Sequence, residues 1–253
     1  ATGKIVGIAT PRAEGEGKVM GEAMYAVDVT LPDMLWGKTL RSPISYGKIK
    51  SIDTSKAKQV PGVRAVLTGA DVAGLKIGRR LCDMSILAED VVRFVGEKVG
   101  AVAADSEEAA ERAAELIEVV YEDLDPVLDP LEAVKPSALA IHPDVMNYEG
   151  LLAPLESPTN TFAYLSWGKG DIEKGFAESD IIIENTFYTQ SVHQGYIEPH
   201  SCLVTVNESG TAEIWCCSKT PFALRQQLAR ALRVPFDSLM VHHCYIGGDF
   251  GGK

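Results

Sequence analysis

The chain has 253 residues, of which 46% are hydrophobic and 23% are charged, a composition typical of a globular protein that buries a core. Its 35 acidic residues outnumber its 24 basic residues, which gives a formal net charge of −11. This balance disfavours a nucleic-acid partner, because phosphate recognition needs clustered Lys and Arg. No stretch approaches the roughly 18 consecutive apolar residues of a membrane span, so we predict no membrane-spanning segment.

The first 23 residues, ATGKIVGIATPRAEGEGKVMGEA, carry charges and glycines throughout and lack the apolar centre of a signal peptide. The sequence therefore predicts a cytoplasmic protein. Its cysteines show neither C-x-x-C spacing nor the spacing of an iron–sulfur cluster, so we expect buried, reduced thiols rather than disulfides or a metal site. These cysteines are Cys82, Cys202, Cys216, Cys217 and Cys244.

The first half of the chain alternates short strands and helices. Strand patterns rich in β-branched residues occupy 35–43, 49–55, 63–69 and 92–106, the last as two strands around Gly96. A helix is predicted over 106–124, where Ser106 is a suitable N-cap and two glutamates favour the positive end of the helix dipole. The end of this segment, EVVYEDL, is equally compatible with a strand. Five prolines between 129 and 160 then indicate a linker on the surface.

The second half begins near Asn160 with a strand, a glycine turn and a short helix. Helix 221–234 starts with Thr220 as the predicted N-cap and Pro221 at its first position. Strand 238–246 follows and leads into a glycine cluster; its apolar residues on both faces predict burial from two sides. Further strands are predicted at 181–190, 202–206 and 211–218.

The glycine cluster reads IGGDFGGK, residues 246–253, and it fits three alternatives. Gly247, Gly252 and Lys253 match G-x-x-x-x-G-K, the phosphate-binding loop of P-loop proteins. Neither the helix nor the Ser or Thr that must follow such a loop is part of the sequence, so this alternative is the weakest. A ligand-free tight turn and a cofactor contact remain open. Glycines favour the latter, since they let main-chain N–H groups approach an anion or a metal oxo group.

The pattern G-G-x-F-G-G-K after helix–Pro–strand resembles the molybdenum-binding subunits of the xanthine oxidase family. This family includes aldehyde oxidoreductases, carbon monoxide dehydrogenase and 4-hydroxybenzoyl-CoA reductase. The resemblance extends, in the order of the family, over 17–53, 60–72, 92–130, 168–180 and 193–204. It implies an α+β protein that corresponds to the N-terminal part of the large subunit. An a/b-hammerhead domain is then expected at 1–138, a linker at 139–160, and the beginning of a molybdopterin-binding α+β domain at 161–253.

The same resemblance suggests which residues approach the cofactor. In the family, the main chain around the Phe of this turn faces the molybdenum centre, and here the corresponding residues are Gly248, Phe250 and Gly251. A Gln side chain lies above the metal in some members, and Gln190 is the candidate for that position. Gln190 and Phe250 are therefore expected near the molybdenum without being strict ligands.

Residues between these two places are expected to shape the site rather than to ligate the metal. The resemblance suggests this role for His193, Gln194 and Glu198, and Gln194 is also a second candidate for the Gln above the metal. No catalytic residue is expected in this chain, because the general-base Glu of the family lies C-terminal to the position of residue 253.

The activity implied by the resemblance is hydroxylation of an aldehyde, an N-heteroaromatic compound or an aryl-CoA-type substrate with oxygen from water. Electrons would pass to 2Fe–2S clusters and FAD on partner chains or domains. The cofactor would be molybdenum-molybdopterin in the cytosine dinucleotide form. Expected partners are the remaining molybdopterin-binding portion, an iron–sulfur subunit, an FAD subunit and a small-molecule substrate. The alternative is a module that keeps the fold for assembly or scaffolding without catalysis.

Overall fold

A computed structural model of the protein describes residues 6–161 and 163–253; residues 1–5 of the predicted first domain and Phe162 of a predicted strand lie outside it. The strands are β1 (Trp36–Arg41), β2 (Gly47–Asp53), β3 (Val63–Thr68), β4 (Lys76–Ile77), β5 (Met84–Ser85), β6 (Val91–Val92), β7 (Lys98–Ala104), β8 (Glu118–Asp123), β9 (Cys202–Val206), β10 (Ala212–Cys216) and β11 (Leu239–His243). The α-helices are α1 (Gly15–Met20), α2 (Ser55–Lys58), α3 (Glu107–Glu115), α4 (Pro130–Ala133), α5 (Ile172–Ala177) and α6 (Pro221–Leu232). Short 3-10 helices lie at Ala26–Asp28, Gly69–Val72, Val145–Asn147 and Phe236–Ser238.

Residues 36–123, the first region, are organised around two antiparallel sheets ordered β1-β7-β3 and β6-β2-β8. Helix α3 lies on the first sheet, and its alanines Ala110 and Ala113 are fully buried there together with Ala104 of β7. These small side chains let the helix backbone approach the strands closely. The predicted cap is present, since the main-chain N–H of Ala109 donates to Oγ of Ser106 at 3.2 Å.

The predicted helix over 106–124 is too long. It ends at Glu115, and the EVVYED segment forms β8, which was the alternative that the sequence left open. β8 pairs antiparallel with β2, for example through Val119 opposite Ile52. Strand pairing therefore decides the state of a segment whose β-branched residues already tolerate an extended backbone.

Residues 160–253, the second region, contain a mixed sheet ordered β11-β10-β9, in which β10 runs parallel to β11 and antiparallel to β9. Helix α6 connects β10 to β11 and covers the face that carries Ile214 and Cys216, with Leu224 and Leu228 packed against it. The helix begins at Pro221 as predicted, but Thr220 makes no side-chain capping hydrogen bond. None of the helices in the described part of the chain is long and apolar enough to cross a bilayer.

Two strand predictions for the second region are wrong. The strand expected directly after Asn160 does not form within 163–169. Residues 181–190 form no strand, and their side chains are exposed; they find no pairing partner among the residues that the structure describes. Strand β11 is covered on one face by helix α6, which packs against Leu239 and Val241, whereas Met240 on the other face is exposed. The predicted burial from two sides is therefore met on one face by the described residues. The two missing strands have one cause, since an apolar pattern reports a preference for burial and not the presence of a pairing or covering surface.

The two regions touch along helix α6 and through the N-terminal segment. The Arg233 guanidinium donates from Nη2 to the carbonyl oxygen of Gly74 at 3.1 Å, and the Arg230 guanidinium donates to that of Gly78. On the other side of the second sheet, the main-chain N–H of Tyr245 donates to the carbonyl oxygen of Met24 at 3.2 Å. The contact at Tyr245 lies between β11 and the glycine cluster and holds this part of the chain against the N-terminal segment.

Candidate cofactor-binding site

The glycine cluster forms a turn, residues 247–252, directly beyond β11. Its backbone takes positive φ angles at Gly248 (+106°), Phe250 (+45°) and Gly251 (+96°). A positive φ is uncommon for Phe and requires support from its surroundings. The Phe250 side chain is 76% exposed, so core packing does not supply this support. Within the described residues, the main-chain N–H groups of Gly248, Asp249 and Phe250 donate no hydrogen bond.

Both ends of the turn rest against residues 196–198, about fifty positions earlier in the chain. A Cβ added to Gly247 would lie 2.6 Å from Cβ of Glu198, and one added to Gly248 would lie 2.9 Å from Cβ of Tyr196. A Cβ on Gly252 would overlap the Tyr196 ring. Glycine is therefore required at these three positions for the two segments to meet.

A buried ion pair connects the same two segments. The Lys253 side chain is 0% exposed, and its ammonium contacts Oε2 of Glu198, which is 9% exposed. The main-chain N–H of Gly247 donates to this oxygen at 2.8 Å, whereas Oε1 of Glu198 has no partner in the described part of the chain. The Lys253 ammonium already neutralises Glu198 and is therefore not free to bind a phosphate. The P-loop alternative thus loses its central residue.

Asp249 closes the turn from within. The main-chain N–H of Gly252 donates to its carbonyl oxygen at 2.7 Å, and the main-chain N–H of Lys253 donates to its carboxylate. The Lys219 ammonium binds the same carboxylate. The hydrogen bond from Lys219, and next the one from Lys253, lower the pKa of Asp249 below its ordinary value. The carboxylate is thus bound by the Lys219 ammonium and by the main-chain N–H of Lys253.

The two histidines near the turn are engaged in local contacts. The Nδ1 atom of His193 accepts the main-chain N–H of Gly195 at 3.0 Å, and Nε2 of His200 lies 2.7 Å from the Tyr196 hydroxyl. Among the described residues, no group of three or more His, Cys, Asp or Glu side chains could hold a metal ion. What the described residues offer at this turn is a set of main-chain donors.

The structure brings together only some of the residues that the sequence suggested. Gly248, Phe250 and Gly251 lie in the turn, and Glu198 lies directly below it. Gln190 and Gln194 are in the exposed, extended segment and form no hydrogen bond with any described residue. Tyr196 and the pairing of Lys253 escaped the sequence analysis. The glycines at 247, 248 and 252 carried the relevant signal, since repeated loss of Cβ indicates close approach of another segment.

The cysteines carry free thiols, and Cys82, Cys216, Cys217 and Cys244 are buried. Burial, with a smaller effect of neighbouring thiols, raises the pKa of Cys216 to about 11. Such a thiol is rarely ionised, which agrees with the expectation of structural, reduced cysteines. Cys202 differs from that expectation because it is exposed on the edge strand β9.

Comparison with known proteins gives two family matches that follow one another along the chain. Residues 20–125 match the aldehyde oxidase and xanthine dehydrogenase a/b hammerhead domain. Residues 154–253 match the molybdopterin cofactor-binding domain. The second match includes both the Tyr196–Glu198 segment and the glycine turn, so the two parts of the site belong to one family pattern.

Individual relatives agree with these matches. A probable xanthine dehydrogenase subunit from Bacillus subtilis is 35% identical over 243 residues, covering 96% of this chain and 31% of the relative. The solved structure of carbon monoxide dehydrogenase from Oligotropha carboxidovorans superposes with a TM-score of 0.82 at 30% identity, over 98% of this chain and 32% of that one. For quinoline 2-oxidoreductase from Pseudomonas putida 86 the TM-score is 0.79 at 29% identity, over 96% and 30%.

The chain thus spans about a third of the length of these relatives, and the matched third contains both family patterns in order. The expected α+β fold, with a hammerhead domain followed by the beginning of a molybdopterin-binding domain, is confirmed. The chain belongs to the aldehyde oxidase and xanthine dehydrogenase family of molybdenum hydroxylases and corresponds to the N-terminal part of their large, molybdopterin-binding subunit.

Proposed function

We propose that this chain supplies part of the molybdenum cofactor site of a molybdopterin-dependent oxidoreductase that hydroxylates its substrate with oxygen from water. The observation that carries the proposal is the turn at 247–252, whose consecutive main-chain N–H groups at Gly248, Asp249 and Phe250 are free in the described structure. Successive free N–H groups in a turn form a concave site for negative charge. The residues present therefore fit a cofactor that offers oxygen acceptors.

When bound, the molybdenum cofactor supplies the two-electron redox chemistry of the reaction. The residues of this chain bind and orient it. Main-chain donors at Gly248 and Phe250 stabilise negative charge as an oxyanion hole does, and they are held in place before the ligand arrives. Gly251 leaves the space in front of the turn open, because beyond its two chain neighbours no described atom lies within 4 Å of the position that its Cβ would occupy.

The residues around the turn maintain this arrangement. Glu198 binds both the Gly247 N–H and the Lys253 ammonium, which supports the proposal that it shapes the site without ligating the metal. His193 packs beside the same segment and shares this role. We keep Gln190 as the side chain near the molybdenum, with Gln194 as the second candidate and a further loop-shaping residue. Support for both is their position in the chain, shortly before the Tyr196–Glu198 segment on which the turn rests.

For the substrate, we propose an N-heteroaromatic compound, an aldehyde or an aryl-CoA-type molecule. Two of the relatives described above are named for xanthine and quinoline, both N-heteroaromatic, which favours the first class. We further propose the cytosine dinucleotide form of the cofactor, and 2Fe–2S clusters and FAD on partner chains or domains. The remaining molybdopterin-binding portion of the enzyme is the nearest partner. Free cysteines support a reducing, cytoplasmic location.

Metal and pterin analysis of the complete native enzyme tests the proposal, together with a denaturing gel of the chains that copurify. We expect molybdenum and pterin in stoichiometric amounts, with iron and flavin in the same complex. A complex that contains this chain but neither molybdenum nor pterin would instead support a non-catalytic assembly or scaffold function.

A substitution in the turn tests directly whether its main-chain N–H groups bind the cofactor. Gly251→Val in the complete enzyme should lose most of its molybdenum, because φ is +96° and a branched Cβ would fill the open approach. Gly210→Val is the matched control. Gly210 also has a positive φ (+81°) and nothing close to its Cβ position, but it lies in the β9–β10 turn. Full metal content and activity in Gly251→Val would show that the glycine turn is only structural.

A further inference from the structure

The two arms of the glycine turn rest on Tyr196, one arm on its Cβ and the other on its aromatic ring. On one arm, a Cβ at Gly248 would lie 2.9 Å from Cβ of Tyr196; on the other arm, a Cβ at Gly252 would overlap Cε1 of the ring. Gly251, between them, has nothing within 4 Å of its Cβ position. The turn is therefore supported at its two ends by one side chain, and its centre is free.

The Tyr196 ring is itself held from several sides. Its hydroxyl lies 2.7 Å from Nε2 of His200, and its centroid lies 5.1 Å from that of the His193 ring. The Lys253 ammonium lies 4.8 Å from the ring centroid, within the range of a cation–π interaction, while it contacts the Glu198 carboxylate. A ring fixed by these contacts is a rigid spacer and not a mobile surface side chain.

Contact continues from Tyr196 to the exposed tip of the turn. The Cβ position of Gly248 lies 3.4 Å from Cε2 of Phe250, so the Phe250 ring folds back over the same glycine that touches Tyr196. The ring itself contacts the other arm at Gly252, whose main-chain N–H donates to the carbonyl oxygen of Asp249 at 2.7 Å. Through this hydrogen bond the ring is connected to Asp249, one of the residues with a free main-chain N–H group.

We propose that Tyr196 is a positioning residue: its ring sets the distance of the turn's main-chain donors from the bound cofactor. This inference rests on the proposed function, because it concerns how the same site holds that cofactor. Removal of the ring leaves space below Gly252, into which this arm of the turn can settle and carry Asp249 with it, whereas Cβ of residue 196 still supports Gly248. Misplacement of a catalytic geometry by about 1 Å can cost on the order of 100-fold in rate. We therefore expect kcat to fall by at least about tenfold, with a smaller change in KM, since substrate-binding residues are not touched.

The test uses the complete enzyme with Tyr196→Ala, Tyr196→Phe, Gly252→Ala and the double variant Tyr196→Ala/Gly252→Ala. We measure molybdenum content, the electron paramagnetic resonance signal of Mo(V), kcat, KM and Tm. Tyr196→Ala should keep molybdenum but show a shifted Mo(V) signal and the lower kcat. Tyr196→Phe retains the ring and should give the native signal. If Tyr196→Ala does not accumulate, Tyr196→Leu replaces it under the same criteria.

Thermal unfolding gives a readout that does not depend on the cofactor. Gly252→Ala should lower Tm because its Cβ meets the ring, and the double variant should recover part of this loss because the ring is absent. Gly37→Ala is the matched control, since its Cβ would have nothing within 4 Å. A Tyr196→Ala enzyme with the native Mo(V) signal and native kcat would overturn the proposal, as would a double variant no more stable than Gly252→Ala alone.

Failure of this inference is distinguishable from failure of the proposed function. Absence of molybdenum from the native enzyme would refute the cofactor site as a whole and, with it, the positioning role of Tyr196. Normal molybdenum in the native enzyme, with no effect of Tyr196→Ala on signal or rate, would refute the positioning role alone.

Discussion

The two regions of the molecule differ in how completely they bury their apolar side chains. In the first region, two antiparallel sheets and helix α3 enclose fully buried residues such as Val92, Val99 and Ala110. In the second region, the isoleucines at 181–183 and Phe187 are exposed although their sequence resembles a strand. The difference teaches that a β-pattern becomes a strand only where another strand offers its hydrogen-bonding groups. The second region carries the cofactor turn and still has apolar surface to cover.

The two regions also differ in the partner that each provides for a buried carboxylate. Glu97 of the first region is 5% exposed, accepts the main-chain N–H of Arg93 at 2.6 Å, and forms no ion pair with any described residue. Glu198 of the second region is buried to a similar degree but contacts the Lys253 ammonium. An unpaired buried carboxylate favours its neutral form, whereas a paired one forms a fixed connection between segments. The pairing at Glu198 is one of the contacts that join the turn to residues 196–198.

The largest expected effect separates the regions by their local stability. In the 253-residue polypeptide, amide hydrogens of β7 should exchange at least about 1,000-fold more slowly than those of 181–192, because exposed backbone opens at almost no cost. Limited proteolysis should likewise cut 181–192 first and spare the first region. Hydrogen exchange measured by mass spectrometry checks both statements. Equal protection of the β7 and 181–192 amides in a monomeric chain would contradict the expected difference in local stability.

A smaller effect compares the same substitution in the two regions. Val99→Ala should lower the free energy of unfolding by about 2 kcal/mol, since two buried methyl groups are lost and a cavity remains. Val206→Ala should change it by less than about 0.5 kcal/mol. The reason is exposure: Val99 is 0% exposed in β7, whereas Val206 is 63% exposed on the edge strand β9. Urea denaturation of both variants measures the difference, and equal losses would show that β9 is covered in solution.

The smallest effect concerns the pH dependence of the buried carboxylate in the first region. Burial raises the pKa of Glu97 above its ordinary value of 4.5. Between 4.5 and the raised pKa, the folded chain holds a proton that the unfolded chain has released, so the free energy of unfolding falls as the pH rises through this window. Glu97→Gln lacks this titration and should gain stability relative to the native protein as the pH increases from 4 to 7.

The control for this series is Glu122→Gln. A hydrogen bond from the exposed Lys50 lowers the pKa of Glu122, so its removal should act in the opposite direction, with the variant losing relative stability as the pH rises. Denaturation curves of both variants at several pH values give the comparison. If the difference in free energy of unfolding between Glu97→Gln and the native protein stays constant with pH, Glu97 is solvated in the folded protein.

Much of the local structure could be predicted from the sequence because its causes are local. Ser106 and the two glutamates after it place the start of α3, and Pro221 places the start of α6. The turn between β9 and β10 follows from NESG, where Gly210 takes a φ of +81°. The motif G-G-x-F-G-G-K, taken with the order of the other family segments, also identified the family before any contact was known.

What the sequence by itself determined is therefore the fold class, the family and the position of the glycine turn. Only the tertiary structure decided that 118–123 is a strand, that 181–190 is not, and that Tyr196 supports the turn. The pairing of β8 with β2 and the contact of Tyr196 with Gly252 join positions more than fifty residues apart, and a local sequence pattern does not specify which distant segments meet. Caps, turns and propensities act within a few residues, whereas burial and pairing depend on which surface arrives from elsewhere in the chain.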